Sequence, residues 1–174
     1  YGTPLACACE KGRFEDMELL IIGRNDVNGS NGNNNNMTLK EYVNQVGKDS
    51  VGWPCTPLMV AALKEHFHVV KYLIEQCEAD PNIANSEGWN ALHCAVGRNR
   101  TTSELIELLL THMTLASINK MSSRGFTPLD FAYVNNGSPL RQEIIALLRS
   151  KCGKANCFDE NGREVEPGNG DLNE

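Results

Sequence analysis

Short apolar stretches recur along the chain in pairs, each long enough for two or three helical turns and bounded by Gly, Asn, Asp or Pro. Four of them align: Thr3-Pro-Leu-Ala-Cys-Ala, Thr56-Pro-Leu-Met-Val-Ala-Ala, Asn90-Ala-Leu-His-Cys-Ala and Thr127-Pro-Leu-Asp-Phe-Ala, with starts 53, 34 and 37 residues apart. Thr3, Thr56 and Thr127 can cap a helix with their hydroxyls, and Pro4, Pro57 and Pro128 then fill the first helical position, where no amide hydrogen is needed. Each segment is therefore predicted to open a short helix. Leu5, Leu58, Leu92 and Leu129 form one column; Cys7, Val60, Cys94 and Phe131 form the next, followed by Ala8, Ala61, Ala95 and Ala132. Such small and apolar columns let neighbouring helices approach and stack.

A second helix follows in each copy, with apolar pairs one turn apart: Val69/Val70 with Leu73/Ile74, Leu105/Ile106 with Leu109/Leu110, and Ile144/Ile145 with Leu147/Leu148. Its start is marked by Thr101-x-x-Glu104, read as a capping box, and by Ser138-Pro139, a cap followed by Pro. Asp16 takes the place of Val69, Leu105 and Ile144 in the first copy, a change that suits a terminal, partly solvated repeat or a tolerant surface. Connectors follow at Asp26-Val27-Asn28, Asp80-Pro81-Asn82 and Ser117-Ile118-Asn119, and the later two lead into turns at Glu87-Gly88 and Arg124-Gly125. Glycine can adopt the positive φ that a hairpin-like finger requires.

A period near 33 with a Thr-Pro-Leu-His-x-Ala core resembles the ankyrin repeat. The resemblance implies an all-α solenoid of stacked helix-turn-helix pairs with hairpin-like fingers, over repeats at about 1–28, 52–87, 88–124 and 125–157. Copy three alone keeps His93 after Leu92; the others carry Ala6, Met59 and Asp130, so the hydrogen bonding between repeats is expected to be patchy. An insertion is expected at 29–51, opening in an Asn-rich run and continuing in a short helix at about 38–46. Thr38-x-x-Glu41 reads as a capping box, and Leu39, Tyr42, Val43 and Val46 fall on one face. Two readings of that stripe stand at this stage: packing on an adjacent finger, or a docking helix for a partner.

Charge alters the picture at one end only. Of the net −6, residues 158–174 supply −5, with six acids against Arg163, so 158–174 is expected to be an acidic, flexible tail. Residues 1–157 are nearly neutral and carry no Lys/Arg stripe with interleaved aromatics, which argues against a nucleic-acid partner. The longest apolar run, Pro57–Leu63, is too short for membrane insertion. Seven irregularly spaced cysteines make a poor disulfide framework and point to reduced thiols and an intracellular address, cytoplasmic ahead of nuclear. Sequons at Asn28, Asn36, Asn99 and Asn136 then read as chance in an Asn-rich chain. With no initiating Met, the chain reads as a fragment whose targeting is open.

Catalytic patterns are sparse, and the chain is read as a non-enzyme that needs no cofactor and no metal. His66-x-His68 with Cys7 and Cys9 is the one grouping that suggests ligation, but both thiols fall in the helix-stacking segment. Cys152 and Cys157, five apart, form a redox pair only on unspecific grounds. No phosphate-loop, dinucleotide, serine-hydrolase or zinc-protease motif occurs.

What the resemblance implies is an adaptor or scaffold, expected to be monomeric, that holds another protein or peptide on the concave face of fingers and inner helices. The alternative is a regulatory or substrate-recruiting segment of a larger enzyme or channel. By aligned position the contact residues are Leu63, Lys64, Trp89, Arg98, Lys120 and Phe126, with Trp89 and Arg98 foremost because Trp and Arg dominate binding hot spots. Trp53 stands in a similar setting. Lys64, Arg98, Lys120 and Arg124 outnumber Glu87 on this side, favouring an acidic or phosphorylated partner. The family further implies Asn28, Asn82 and Asn119 as finger asparagines open to enzymatic hydroxylation, and His93 as a structural histidine.

Overall fold

The computed structural model describes residues 3–26, 37–98, 101–134, 140–151, 153 and 154. Helices α1 (Pro4–Glu10), α4 (Pro57–Leu63), α6 (Ala91–Val96) and α9 (Pro128–Val134) lie side by side as an inner row, each touching the next. Behind them stand α2 (Phe14–Asp26), α5 (Phe67–Cys77), α7 (Ser103–His112) and α10 (Arg141–Ser150), with α5 against α7 and α7 against α10. The described residues form a mostly helical stack of four pairs, with α3 (Leu39–Asn44), α8 (Leu115–Ile118) and a two-stranded ribbon, β1 (Gly47–Lys48) and β2 (Pro54–Cys55), in the connections.

The inner helices start as their sequence dictates. Thr3 Oγ1, Thr56 Oγ1, Asn90 Oδ1 and Thr127 Oγ1 each accept the backbone N–H three residues on, at 3.2–3.3 Å. The residue at that third position answers the cap in three of the four copies with different chemistry. Met59 Sδ (3.3 Å), His93 Nδ1 (3.3 Å) and Asp130 Oδ2 (2.8 Å) accept the cap's own N–H. A thioether, an imidazole and a carboxylate thus do one local job, so in the second and fourth copies loss of the motif histidine does not leave the cap amide bare.

Two of the columns read from the sequence are core throughout; in the column between them Val60 and Cys94 are buried, while Cys7 and Phe131 at its ends are half-buried. Leu5, Leu58, Leu92 and Leu129 are buried, as are Ala8, Ala61, Ala95 and Ala132, and Leu73, Leu105, Leu109, Ile144 and Leu148 close the space behind them. The cap of α7 differs from expectation: Thr102, not Thr101, is its N-cap, accepting Leu105 N at 3.4 Å. Thr101 is buried, and its hydroxyl donates instead to Ala95 O, one of the last carbonyls of α6. Ser138 and Pro139 lie outside the described residues, and α10 begins after Leu140 with no side-chain cap.

Three finger turns share one design. Backbone N of Asp49, Asn85 and Ser122 donates to O of Trp53, Trp89 and Phe126 (3.0, 2.8 and 2.9 Å), while their side-chain oxygens accept N of the same partners (2.8, 2.9 and 3.3 Å). At the middle turn Gly88 has φ +77°, and a Cβ there would lie 2.6 Å from Met121 O, so only glycine fits between the second and third fingers. Asparagines then tie each finger to the next repeat. Asn44 Nδ2 donates to Glu78 O (3.0 Å) and its Oδ1 accepts Asp80 N (2.7 Å). Asn82 likewise meets His112 O (3.4 Å) and Thr114 N (2.8 Å), and Asn119 Oδ1 accepts Lys154 N (2.6 Å).

These bonds relocate the first finger. The sequence pattern points to Asp26-Val27-Asn28, of which Val27 and Asn28 lie outside the described residues, with 29–51 as insertion. Asn44 and the turn 49–53 instead make the same bonds as Asn82 and the turn 85–89, so 38–53 is the finger segment of repeat one. The extra chain lies between α2 and α3. Helix α3 is also shorter than the expected 38–46: its capping box forms, Thr38 N donating to Glu41 Oε2 at 2.7 Å, but Gln45 turns extended and Val46 feeds β1. Replacing Asn44 by Ala removes both bridges and is expected to cost about 1 kcal/mol in urea unfolding; an unchanged midpoint overturns its assignment as the finger asparagine.

Candidate functional site

Each finger turn delivers an aromatic residue to the same place. Trp53, Trp89 and Phe126 directly follow Gly52, Gly88 and Gly125, whose φ values are +90°, +77° and +79°. The turn bonds hold their backbones, and their half-buried rings lie along the side where fingers meet inner helices. Trp53 meets Trp89 edge to face at 5.9 Å; Trp89 lies 4.7 Å from Phe131 of α9, and Phe131 lies 5.5 Å from Phe126. The result is a continuous aromatic row across three fingers, in contacts of the kind that favour offset and edge-on rings.

His93 lies beneath this row, 5.7 Å from Trp89 and 5.9 Å from Phe131 ring to ring. Its Nδ1 approaches Asn90 (2.8 Å from Oδ1, 3.3 Å from N), and its Nε2 lies 3.3 Å from Phe126 O on the next finger. Burial pushes its pKa down to about 4 against the opposing pull of the Phe126 and Lys120 carbonyls and Asp130. The ring is therefore neutral at pH 7 and serves as a tie between inner helix and finger, as the family resemblance implied.

The other sequence-derived contact residues fall into different situations. Trp89 and Phe126 are in the row; Arg98, just past the end of α6, and Lys120, two residues before the third turn, are exposed. Leu63 is half-buried against the core. Lys64 is paired: its Nζ lies 3.2 Å from Glu10 Oε1, and the same carboxylate accepts Ser50 Oγ (2.8 Å) and Ser50 N (3.3 Å). Burial tends to raise the Glu10 pKa, but the bonds from Ser50 and Lys64 outweigh it and hold the carboxyl below its ordinary range. At this end of the face, side chains bridge the first finger to the ends of α1 and α4.

The stripe on α3 resolves into packing. Tyr42 and Val43 are buried and Leu39 is partly buried where α3 meets α2, α4 and α5, while Val46 is 44% exposed beyond the helix end. These four residues do not form one docking face, because covering the stack consumes three of them. Of the asparagines considered for modification, Asn28 lies outside the described residues. Asn82 uses its amide and its oxygen in the bridges above, and Asn119 Nδ2 donates to Leu115 O (3.1 Å) while its oxygen is also engaged.

Cys7 and Cys9 are not gathered with the histidines into a ligand set. His66 Nε2 lies 3.1 Å from Glu10 O, and among the described residues no group of three or more His, Cys, Asp or Glu can hold a metal ion. Cys9, Cys55, Cys77 and Cys94 are buried. Burial raises their thiols, to about 12 for Cys9 and Cys55 and about 11 for Cys77. The sequence puts Phe131 in a helix-stacking column and not on this face, and gives no sign of the turn carboxylate of Asp49 or the Glu10–Ser50 bridge; a signal for the row was available in the aromatic after each turn glycine.

Among the described residues no helix is long and apolar enough to cross a membrane. A family model described as "Ankyrin repeats (3 copies)" matches residues 30–110 and, overlapping them, 58–160. The chain is 27% identical to the NAD-dependent deacetylase sir2B of Dictyostelium discoideum over 157 residues, 90% of this chain and 19% of that protein. It is 37% identical over 92 residues to zinc finger CCCH domain-containing protein 29 of Arabidopsis thaliana, covering 51% of this chain and 15% of that protein. Zinc finger CCCH domain-containing protein 47 of the same plant matches at 35% over 114 residues, 62% of this chain and 19% of that protein. The chain thus spans less than a fifth of each of these relatives.

Two outcomes test the electrostatics. A histidine depressed from 6.5 to about 4 contributes stability that is full above pH 6.5 and is lost as the pH falls toward 4. Between pH 7 and pH 5 the protein should lose roughly 2 kcal/mol that His93→Gln does not lose, read by urea unfolding. For the thiols, peptide-resolved alkylation at pH 8 should leave Cys9, Cys55, Cys77 and Cys94 unlabelled until urea unfolds the stack; rapid labelling of the native protein contradicts their burial.

Proposed function

Because the chain belongs to the ankyrin-repeat family, we propose that it is a non-catalytic module that binds another protein or peptide on its finger and inner-helix face. Ankyrin repeats typically mediate protein binding. The observation that carries the placement is the aromatic row Trp53–Trp89–Phe131–Phe126, half-buried on a rigid scaffold. Large rings of low conformational freedom, held by the turn bonds, present contact area at small entropic cost, and aromatic and Arg side chains are enriched where truncation costs most. Trp89 at the centre of the row and Arg98 at the end of α6 are the leading anchors. Lys64 and Leu63 contribute less, the first tied to Glu10 and the second packed on the core.

A second reading is favoured by the lengths of the relatives. One of them is named a deacetylase, and this chain corresponds to 19% of it. In a longer protein the same face would recruit a partner or substrate to a neighbouring domain, with recognition located in the same residues.

Affinity capture from cell extract with quantitative mass spectrometry tests the placement. A Trp89→Ala/Arg98→Glu variant of matched folding, checked by circular dichroism, should lose at least one specific protein by tenfold or more. Capture of the same proteins by both forms moves recognition off this face.

A further inference from the structure

The charge inventory of the proposed face narrows its ligand. In the turns 49–53, 85–89 and 122–126, along α1, α4, α6 and α9, and in the two residues flanking each, the carboxylates are Glu10, Asp49, Glu65, Glu87 and Asp130, with Glu65 half-buried past the end of α4. Three are spent within the fold. Glu10 holds Ser50 and Lys64. Asp49 is buried and accepts N of Val51 (3.0 Å) and Trp53 (2.8 Å). Asp130 is buried and accepts Thr127 N at 2.8 Å. Glu87 remains exposed.

The cations are disposed the opposite way. Lys48 precedes the first turn, Lys120 the third, and Arg124 lies within the third; all three side chains are exposed. The ion pairs Arg13–Asp16, Lys40–Glu78 and Lys64–Glu10 engage other cations of the described residues, and none of the three finger cations takes part in them. Arg98, also exposed, adds a fourth positive charge at the inner-helix end of the third repeat. The face thus presents an aromatic floor with positive first and third fingers on either side of Glu87, on a chain whose net charge is −6. Its sign is local, created by folding the acids inward.

Resting on the functional reading above, we propose that the ligand of this face is an extended acidic segment of another protein. It carries one or more apolar or aromatic side chains that seat on the Trp53–Trp89–Phe126 row, while its carboxylates meet Lys48, Lys120 and Arg124. The spacing supports an elongated ligand, because the row crosses three successive fingers. Electrostatic complementarity of this kind speeds association and weakens with salt.

The test is selection of a displayed library of random 12-residue peptides on the full chain, followed by fluorescence anisotropy with synthesised winners. Enriched peptides should pair Asp or Glu with Trp, Phe or Leu, and their affinity should fall at least fivefold between 50 and 300 mM NaCl. Lys120→Glu/Arg124→Glu should weaken binding tenfold or more without moving the thermal melt, whereas Lys120→Arg/Arg124→Lys should retain it. Trp89→Leu, which keeps apolar bulk, should also weaken binding. Neutral or basic winners, indifference to the charge reversal, or no enrichment overturns the proposal. So does a synthetic 158–174 peptide binding more tightly than every selected winner, since the occupant is then the chain's own acidic end. The broader reading fails separately, through an unchanged capture set for Trp89→Ala/Arg98→Glu.

Discussion

Each helix pair leaves an apolar face that only the next pair can cover, and this unmet burial is what the rest of the molecule is organised around. Leu58, Val60, Leu92 and Cys94 reach full burial only because α1, α4, α6 and α9 follow one another in close contact. Apolar stacking alone leaves the register loose, since it is non-directional. Polar ties fix it: Asn44, Asn82 and Asn119 reach from one repeat to backbone of the next, and His93 reaches from α6 to Phe126 O. Hydrogen bonds contribute modest net energy but strong geometric selection, and here they set where each finger sits.

The proposed recognition face is a by-product of that register. The turn bonds of Asp49, Asn85 and Ser122 place Trp53, Trp89 and Phe126 in line, and the stacking of α6 on α9 brings Phe131 under them. The same folding turns acids inward. A carboxylate that accepts backbone N–H groups, as Asp49 does, is no longer available to offset the neighbouring cations. An acidic chain thereby acquires a locally positive, aromatic surface without any excess of Lys and Arg in its composition.

Much of the array was legible because it rests on short-range rules. Thr-Pro at 3–4, 56–57 and 127–128 begins helices wherever it stands, and the i, i+3, i+4 spacing of Val70, Leu73 and Ile74 marks a buried stripe irrespective of partners. The misreadings arise where a long-range bond decided the outcome. Asn28 and Asn44 look alike in a chain rich in asparagine, and only the approach of Glu78 and Asp80 distinguishes the second as a finger residue. Thr101 and Thr102 are equally good caps on paper; the carbonyl of Ala95 claims the first and leaves the cap to the second. Likewise the stripe on α3 carried two meanings until α2, α4 and α5 closed over Tyr42 and Val43.

By itself, the order of residues determined the helix pairs, the caps at Thr3, Thr56 and Thr127, the apolar columns and the repeat to which they belong, since all of these depend on neighbours within a few positions. Tertiary structure alone decided the limits of the first finger, the engagement of Lys64 and Asn82, and the union of Trp53, Trp89, Phe126 and Phe131 into one surface. Those features join residues some 30 to 80 positions apart in the chain. Which of several equivalent side chains meets a partner is then settled by stacking geometry, which no local pattern encodes.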